Sequence, residues 1–385
     1  MKLPVRRVGA QWIARRLPVA VAGFLLTASA TLRLAAQDSQ FGILGLGTPG
    51  RAESVRARST GGAFAAFDPL TPLVDAALAE LPQLSAGAVL AATYRRVEVD
   101  TSTTTLRTSR FPAVTVAGPV FRGQGRPGWV VGGGFATYLD RSYSVITEGT
   151  MDLRGTPQAF RDQITSDGGV SDLRLALATR PTRDLAVGAA LHLLSGTTRV
   201  TVIRDFRDST YADVGQQADV LYSGLGGSAS LIARLGPTLR VAGWLRSDRA
   251  LRASVQEVET ARHDLPVEIG GALGWQPSPT ARFAASVARR SWSRAGANAF
   301  DTFSWAVGAE LGRPALPLRL GVRSAQLPFG SGATAPTERG LAAGTGRAFS
   351  DGRAIVDLGV ERLDRRSGAE RERVWTVLVG ITVRP

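Results

Sequence analysis

From residue 84 to the end, apolar side chains recur at every second position, in one segment after another. Trp375, Val377, Val379, Ile381 and Val383 form one face of the last segment, with Thr376, Gly380, Thr382 and Arg384 on the other. Phe303, Trp305, Val307, Ala309 and Leu311 alternate with Thr302, Ser304, Gly308 and Glu310. Leu185, Val187, Ala189, Leu191 and Leu193 do the same, with His192 on the opposite face. Repetition at two residues per period is the signature of strands, and helical spacing would not separate these sets.

Fourteen such segments can be marked, covering roughly 84–98, 106–121, 128–140, 169–180, 184–204, 217–235, 239–247, 265–276, 281–292, 301–312, 316–327, 339–349, 353–363 and 373–384. Short connections rich in turn residues, such as Gly236-Pro237-Thr238 and Ser350-Asp351-Gly352, alternate with longer ones at 141–168, 205–216, 248–264, 293–300, 328–338 and 364–372. One rim of tight turns and one rim of long loops is the pattern of an up-and-down membrane barrel. A soluble propeller would need a recurring blade motif, and none is present. One face of each segment is almost wholly apolar while the other is small or charged, so the apolar face suits lipid. Trp275, Trp292, Tyr94 and Tyr138 near strand ends suit interfacial girdles. The expected fold is therefore all-β: a transmembrane antiparallel up-and-down barrel of about 14 strands spanning 84–385, with an amino-terminal plug in its lumen.

The plug is residues 37–83, which do not alternate. They include Phe41, Ile43, Leu44, Leu46, Phe64, Phe67 and Leu70, too apolar for a solvated arm, and are too few to fold alone. A helical stretch is expected from Leu73 to Leu81. Ahead of the plug, residues 1–36 carry Lys2, Arg6, Arg7, Arg15 and Arg16, then an apolar run from Leu17 to Leu32, then Ala35-Ala36. That is the outline of a secretory signal peptide, cut after Ala36 or Gln37.

Six of the fourteen net positive charges lie there. Without the signal segment, 40 arginines face 32 acids, dispersed in no basic run, so nucleic acid is not an expected partner. Cysteine is absent and only His192 and His263 represent histidine, so neither a metal site nor a cofactor is expected. No Gly-x-Ser-x-Gly elbow or His-Glu-x-x-His motif occurs, and neither histidine has a serine partner legible in sequence, so an enzyme is not expected.

The plug carries Gly45-Leu46-Gly47, then Ser59-Thr60-Gly61-Gly62-Ala63 with Ala65-Ala66, then Val74-Asp75-Ala76-Ala77-Leu78; farther on come Leu265-Pro266-Val267, Trp275, Ser286 and Ser291-Trp292-Ser293. In this order the chain resembles the outer-membrane long-chain fatty acid transporter family (FadL-like), which includes transporters of aromatic hydrocarbons. Val74-Asp75 stands where that family has Asn-Pro, and Asp75 suits a helix cap. The resemblance implies a fourteen-stranded barrel with a hatch inside, formed here by Phe41, Gly45, Gly47, Gly61, Gly62 and Phe64, and uptake of hydrophobic compounds with sideways release into the bilayer. Implied partners are the apolar solute, outer-membrane lipid and lipopolysaccharide, and the barrel-assembly machinery. The resemblance also implies a lateral gate at a kink in the third strand. Gly132-Gly133-Gly134 is the candidate, unless these glycines only give the hatch clearance. In the longest connection, Met151, Phe160 and Ile164 are candidate ligand contacts, with Pro157 to Ile164 expected as a short helix over the mouth. On the lumen face, Arg174, Arg319 and Arg323 either meet a substrate carboxylate or pair with Asp172, Asp357 and Glu361. A structural or secretion-associated barrel and a general diffusion porin remain the alternatives.

Overall fold

A computed structural model describes residues 39–99, 102–121, 128–153, 155–296, 298–313 and 315–385. The expected signal peptide at 1–36 lies outside the described residues.

The fourteen alternating segments are fourteen barrel strands. They are β1 (Ser85–Val99), β2 (Ser102–Phe121), β3 (Trp129–Asp140, continued by Tyr143–Leu153), β4 (Thr156–Thr179), β5 (Leu185–Phe206), β6 (Val214–Leu235) and β7 (Leu239–Asp248, continued by Leu251–Val255). Then follow β8 (Val258–His263, continued by Val267–Ser278), β9 (Ala281–Arg290), β10 (Thr302–Arg313), β11 (Leu316–Gln326), β12 (Thr337–Phe349), β13 (Ala354–Ser367) and β14 (Glu370–Val383). Each pairs antiparallel with its sequence neighbours, and β14 closes the ring on β1, from Arg371 opposite Glu98 to Val383 opposite Ala86.

The burial pattern is inverted relative to a soluble protein. Along β14, Trp375, Val377 and Ile381 are exposed, while Val374, Thr376 and Leu378 between them are buried. Every strand repeats this, so an apolar belt faces outward and the lumen takes the small and charged residues. Trp129, Trp275, Trp305 and Trp375 lie on the outer face. Trp292 and Tyr138, expected in the girdles, turn inward: the Trp292 ring packs edge-on against Phe329, and the Tyr138 hydroxyl donates to Asp248.

The wall continues well past the alternating segments on the long-connection side. Residues 141–168 are not a loop with a helix at 157–164. They form a hairpin from Tyr143 opposite Ser166 to Leu153 opposite Thr156, continuing β3 and β4. Likewise 248–264 extends β7 and β8 through a turn at Gln256 and Glu257, both at positive φ. Above the lipid both faces of a strand can be polar, so the period-two signal fades although the ladder goes on.

Residues 39–83 lie within the barrel. They comprise 3-10 turns at Gln40–Gly42, Ala65–Phe67 and Asp75–Glu80, a two-residue strand Thr48–Pro49, and a helix, α1, at Val55–Ser59. Ser54 caps α1 by accepting from the Ala57 N–H. Phe64, Phe67, Val74 and Ala76 are buried against inward-facing Ala186, Ile232, Trp244 and Ala272 of the wall. The inner small residues make room: a Cβ at Gly188 would fall 2.5 Å from the Ala76 nitrogen.

The orientation of the faces predicts that Leu191→Arg, on the outer face of β5, destabilises the barrel by about 2–4 kcal/mol. Urea titration of the protein folded into vesicles measures this; an unchanged midpoint would place Leu191 away from lipid.

Candidate functional site

The ladder between β2 and β3 stops short while both strands run on. β2 pairs with β3 only up to Ala113 opposite Ala136. Beyond that point β2 stays with β1, as far as Ser102 opposite Val99, and β3 stays with β4. Local sequence explains the parting on both sides. Pro112 has no N–H to offer a ladder, and Phe111-Pro112 form a bulge opposite Leu90. On β3, Tyr138 is the extra residue where the β4 register shifts between Thr137 and Leu139.

The exposed edge of β3 is taken by the amino-terminal segment. Thr48 pairs with Asp140 and Pro49 with Leu139, and the Gly50 N–H donates to the Tyr138 carbonyl at 2.8 Å. The close approach needs glycine. A Cβ at Gly47, where φ is +95°, would fall 2.3 Å from the Asp140 carbonyl oxygen, and one at Gly50 would fall 2.1 Å from that of Thr137. Across the parting, Arg110 of β2 forms an ion pair with Asp140 of β3.

A cavity of about 210 Å³ in the lumen reaches this stretch through Ala136, Thr137 and Tyr138. On its far side lie Trp244, Glu268 and Arg290. The Trp244 indole N–H donates to Glu268 at 2.9 Å and Arg290 pairs with the same carboxylate at 2.7 Å.

Gly132-Gly133-Gly134 does not interrupt the wall. Its residues face Ala117, Val116 and Thr115 on β2 and Ala176, Leu175 and Arg174 on β4 in unbroken register. Gly132 faces the amino-terminal segment, and a Cβ there would meet the Leu78 side chain at 2.9 Å. Within the run only Gly132 lies against the amino-terminal segment, and the β2–β3 ladder stops above it, at Pro112 and Tyr138.

The candidate arginines are tied within the protein. Arg174 pairs with Asp75, Arg319 with Glu310 at 2.9 Å and Asp357 at 2.6 Å, and Arg323 with Glu338 at 3.3 Å. Glu361 instead takes Arg51 and Arg58 from the amino-terminal segment, and Arg56 of α1 pairs with Glu310. Burial alone would raise the Glu53 carboxyl; Arg51, Arg323 and Arg58 outweigh it and hold the pKa at about 2. That charge persists through mildly acidic conditions and is lost only as pH falls toward 2. Asp75, expected as a helix cap, makes no cap; Val74 stands at that position and the Asp75 side chain bridges to the wall.

Met151, Phe160 and Ile164 lie on the β3–β4 hairpin rather than on a loop tip. Arg204 of β5 gathers two of them: it stacks 4.0 Å from the Phe160 ring centroid and reaches the Met151 sulfur at 3.3 Å, while pairing with Asp162. Phe41 and Phe64 are buried, Gly45 lies against the Phe329 ring, Gly61 against the Val322 backbone and Gly62 beside Glu53. The parting itself had a sequence signal in Pro112, outweighed by the more conspicuous glycines.

Gly132→Val is expected to displace Leu78 and loosen the amino-terminal segment, whereas Gly133→Val, on the outer face with only ordinary contacts, leaves it in place. Protease protection of residues 39–83 in the two variants checks this; equal protection would remove the clearance role.

No protein-family model matches the sequence, and no curated protein does. Solved structures do. The toluene transporter TbuX of Ralstonia pickettii superposes with a TM-score of 0.60 at 16% identity, over 88% of this chain and 99% of its own. A FadL homologue of Pseudomonas aeruginosa gives 0.59 at 11% identity, over 88% and 99%. The monoaromatic hydrocarbon channel CymD gives 0.57 at 16% identity, over 88% and 98%. At such identities these likenesses establish the shared barrel fold.

Proposed function

We propose that this protein is a bacterial outer-membrane transporter that takes up apolar solutes and releases them sideways into the bilayer. The observation that carries this reading is the parting between β2 and β3, which opens beside the lumen cavity. A solute that enters from the long-hairpin side and reaches Ala136–Tyr138 has an exit through the wall, while the amino-terminal segment fills the axial path. An apolar solute that passes from water to lipid gains roughly 25 cal/mol per Å² of apolar surface removed from water, so the overall route needs no coupled energy source. The toluene and monoaromatic hydrocarbon proteins of the same fold support an apolar solute, and the resemblance to the fatty acid transporter family extends the class to long-chain fatty acids.

In this reading residues 39–83 act as a hatch and Arg110–Asp140 spans the exit. Met151, Phe160 and Ile164 line the approach, and lipid, lipopolysaccharide and the barrel-assembly machinery are the partners. A filled lumen fits poorly with a general diffusion porin, for which planar bilayers would record large steady conductance.

The chain has no native cysteine, so Arg110→Cys with Asp140→Cys can be joined by a short bismaleimide. In cells lacking their own transporter, the joined barrel is expected to lose uptake of labelled toluene and labelled oleate, while unjoined protein keeps uptake of at least one. Undiminished uptake through the joined barrel would overturn the lateral route; no uptake by either form would favour a scaffold.

A further inference from the structure

A chain of hydrogen bonds runs from the wall into the hatch. Asp172 of β4 meets His192 Nδ1 of β5 at 2.9 Å, His192 Nε2 meets Ser228 Oγ of β6 at 2.9 Å, and Ser228 Oγ donates to Asp75 of the hatch at 2.7 Å. All four are inward, and His192 is fully buried. Acid, imidazole and hydroxyl stand in the order of a hydrolase triad, but the geometry serves another purpose. The hydroxyl proton goes to Asp75 rather than to the imidazole, and the neighbouring backbone groups are engaged in the β5–β6 and β6–β7 ladders rather than forming an oxyanion hole.

Both ends of the chain can only accept. Arg174 pairs with Asp75 and Arg246 with Asp172, which sets both carboxylates as acceptors. Three links therefore need three protons. Ser228 supplies one and a neutral imidazole supplies one; only an imidazolium completes the set. The surrounding charges agree. Facing the imidazole or its partners are Asp172 and Arg174 on β4, Arg246 and Asp248 on β7, and Asp75 on the hatch, with the Tyr138 hydroxyl of β3 donating to Asp248. Two arginines against three aspartates leave one negative charge, which an imidazolium cancels. The next ion pair, Glu268 with Arg290, is balanced by itself.

We propose that His192 is a proton-sensitive tether for the hatch. With two protons, the imidazole holds Ser228 so that its hydroxyl is free to bind Asp75, at the start of the Asp75–Glu80 turn. The Ala76 N–H, bonded to Ser230 at 2.9 Å, and the Arg174 ion pair complete this anchor. When Nε2 loses its proton, Ser228 has one proton for two acceptors, and the cluster carries a net negative charge. Either Asp75 loses its wall hydroxyl or two lone pairs face each other. The hatch is tight in acid and loosened as pH rises. This rests on residues 39–83 being the moving part of the proposed route, but its test involves no solute, so a failed tether and a failed transporter are distinguishable.

Hydrogen exchange of the full protein in detergent, followed in peptides covering 68–84 and corrected for intrinsic rates, reads the tether directly. From about pH 5 to pH 8, wild-type protection of this segment is expected to fall about tenfold, the effect of one charge-assisted hydrogen bond. His192→Gln is expected to abolish the pH dependence. Ser228→Ala, which preserves the imidazole but removes the link, is expected to give the weak protection at both pH values. Heat-modifiable mobility on gels confirms that each barrel is folded, and if His192→Gln does not fold, Ser228→Ala decides alone. A pH-independent wild type, or a slope retained in the folded variants, would overturn the proposal.

Discussion

A backbone N–H or C=O left unpaired in hydrocarbon costs several kcal/mol, and the architecture follows from that penalty. It forces the fourteen strands to close, β14 onto β1, so that no edge faces lipid. It also gives meaning to the place where β2 and β3 part. β2 gives up its ladder to β3 where Pro112 removes a donor, and the freed edge of β3 is not left open: Thr48, Pro49 and Gly50 come from inside the barrel to pair with it. The amino-terminal segment is thus part of the hydrogen bonding of the wall at this edge.

The interior obeys a different constraint. The outer face consumes the apolar residues of each strand, so the lumen is lined by charge, and buried charges must pair. Residues of the amino-terminal segment supply much of the pairing: Arg51 and Arg58 to Glu361, Arg56 to Glu310, Asp75 to Arg174. Such pairs contribute little net stability after desolvation, but breaking one leaves a costly orphan, so they specify position more than they add strength. The apolar cluster of Phe64, Phe67 and Trp244 supplies the cohesion.

Legibility in the sequence tracked the presence of a lipid face. β14, β10 and β5 could be read residue by residue because lipid demands an apolar side chain at every second position. The β3–β4 hairpin above the membrane could not, since Arg161, Asp162 and Gln163 make both of its faces polar. The amino-terminal segment was legible as apolar sequence with no partner of its own. Its contacts were not: Ser39 bonds Glu372, more than 300 positions away, and nothing local encodes that register. His192 looked partnerless because Asp172 and Ser228 reach it only from the two adjacent strands.

The sequence by itself determined a barrel, its strand number, its outward face and a segment needing a lumen, because each is set by periodicity and composition along the chain. Tertiary structure alone decided where the wall parts, which charges meet, and that a histidine, a serine and two aspartates form one proton-counted chain. Those depend on strand register, and register is a relation between distant segments that no single stretch of residues carries.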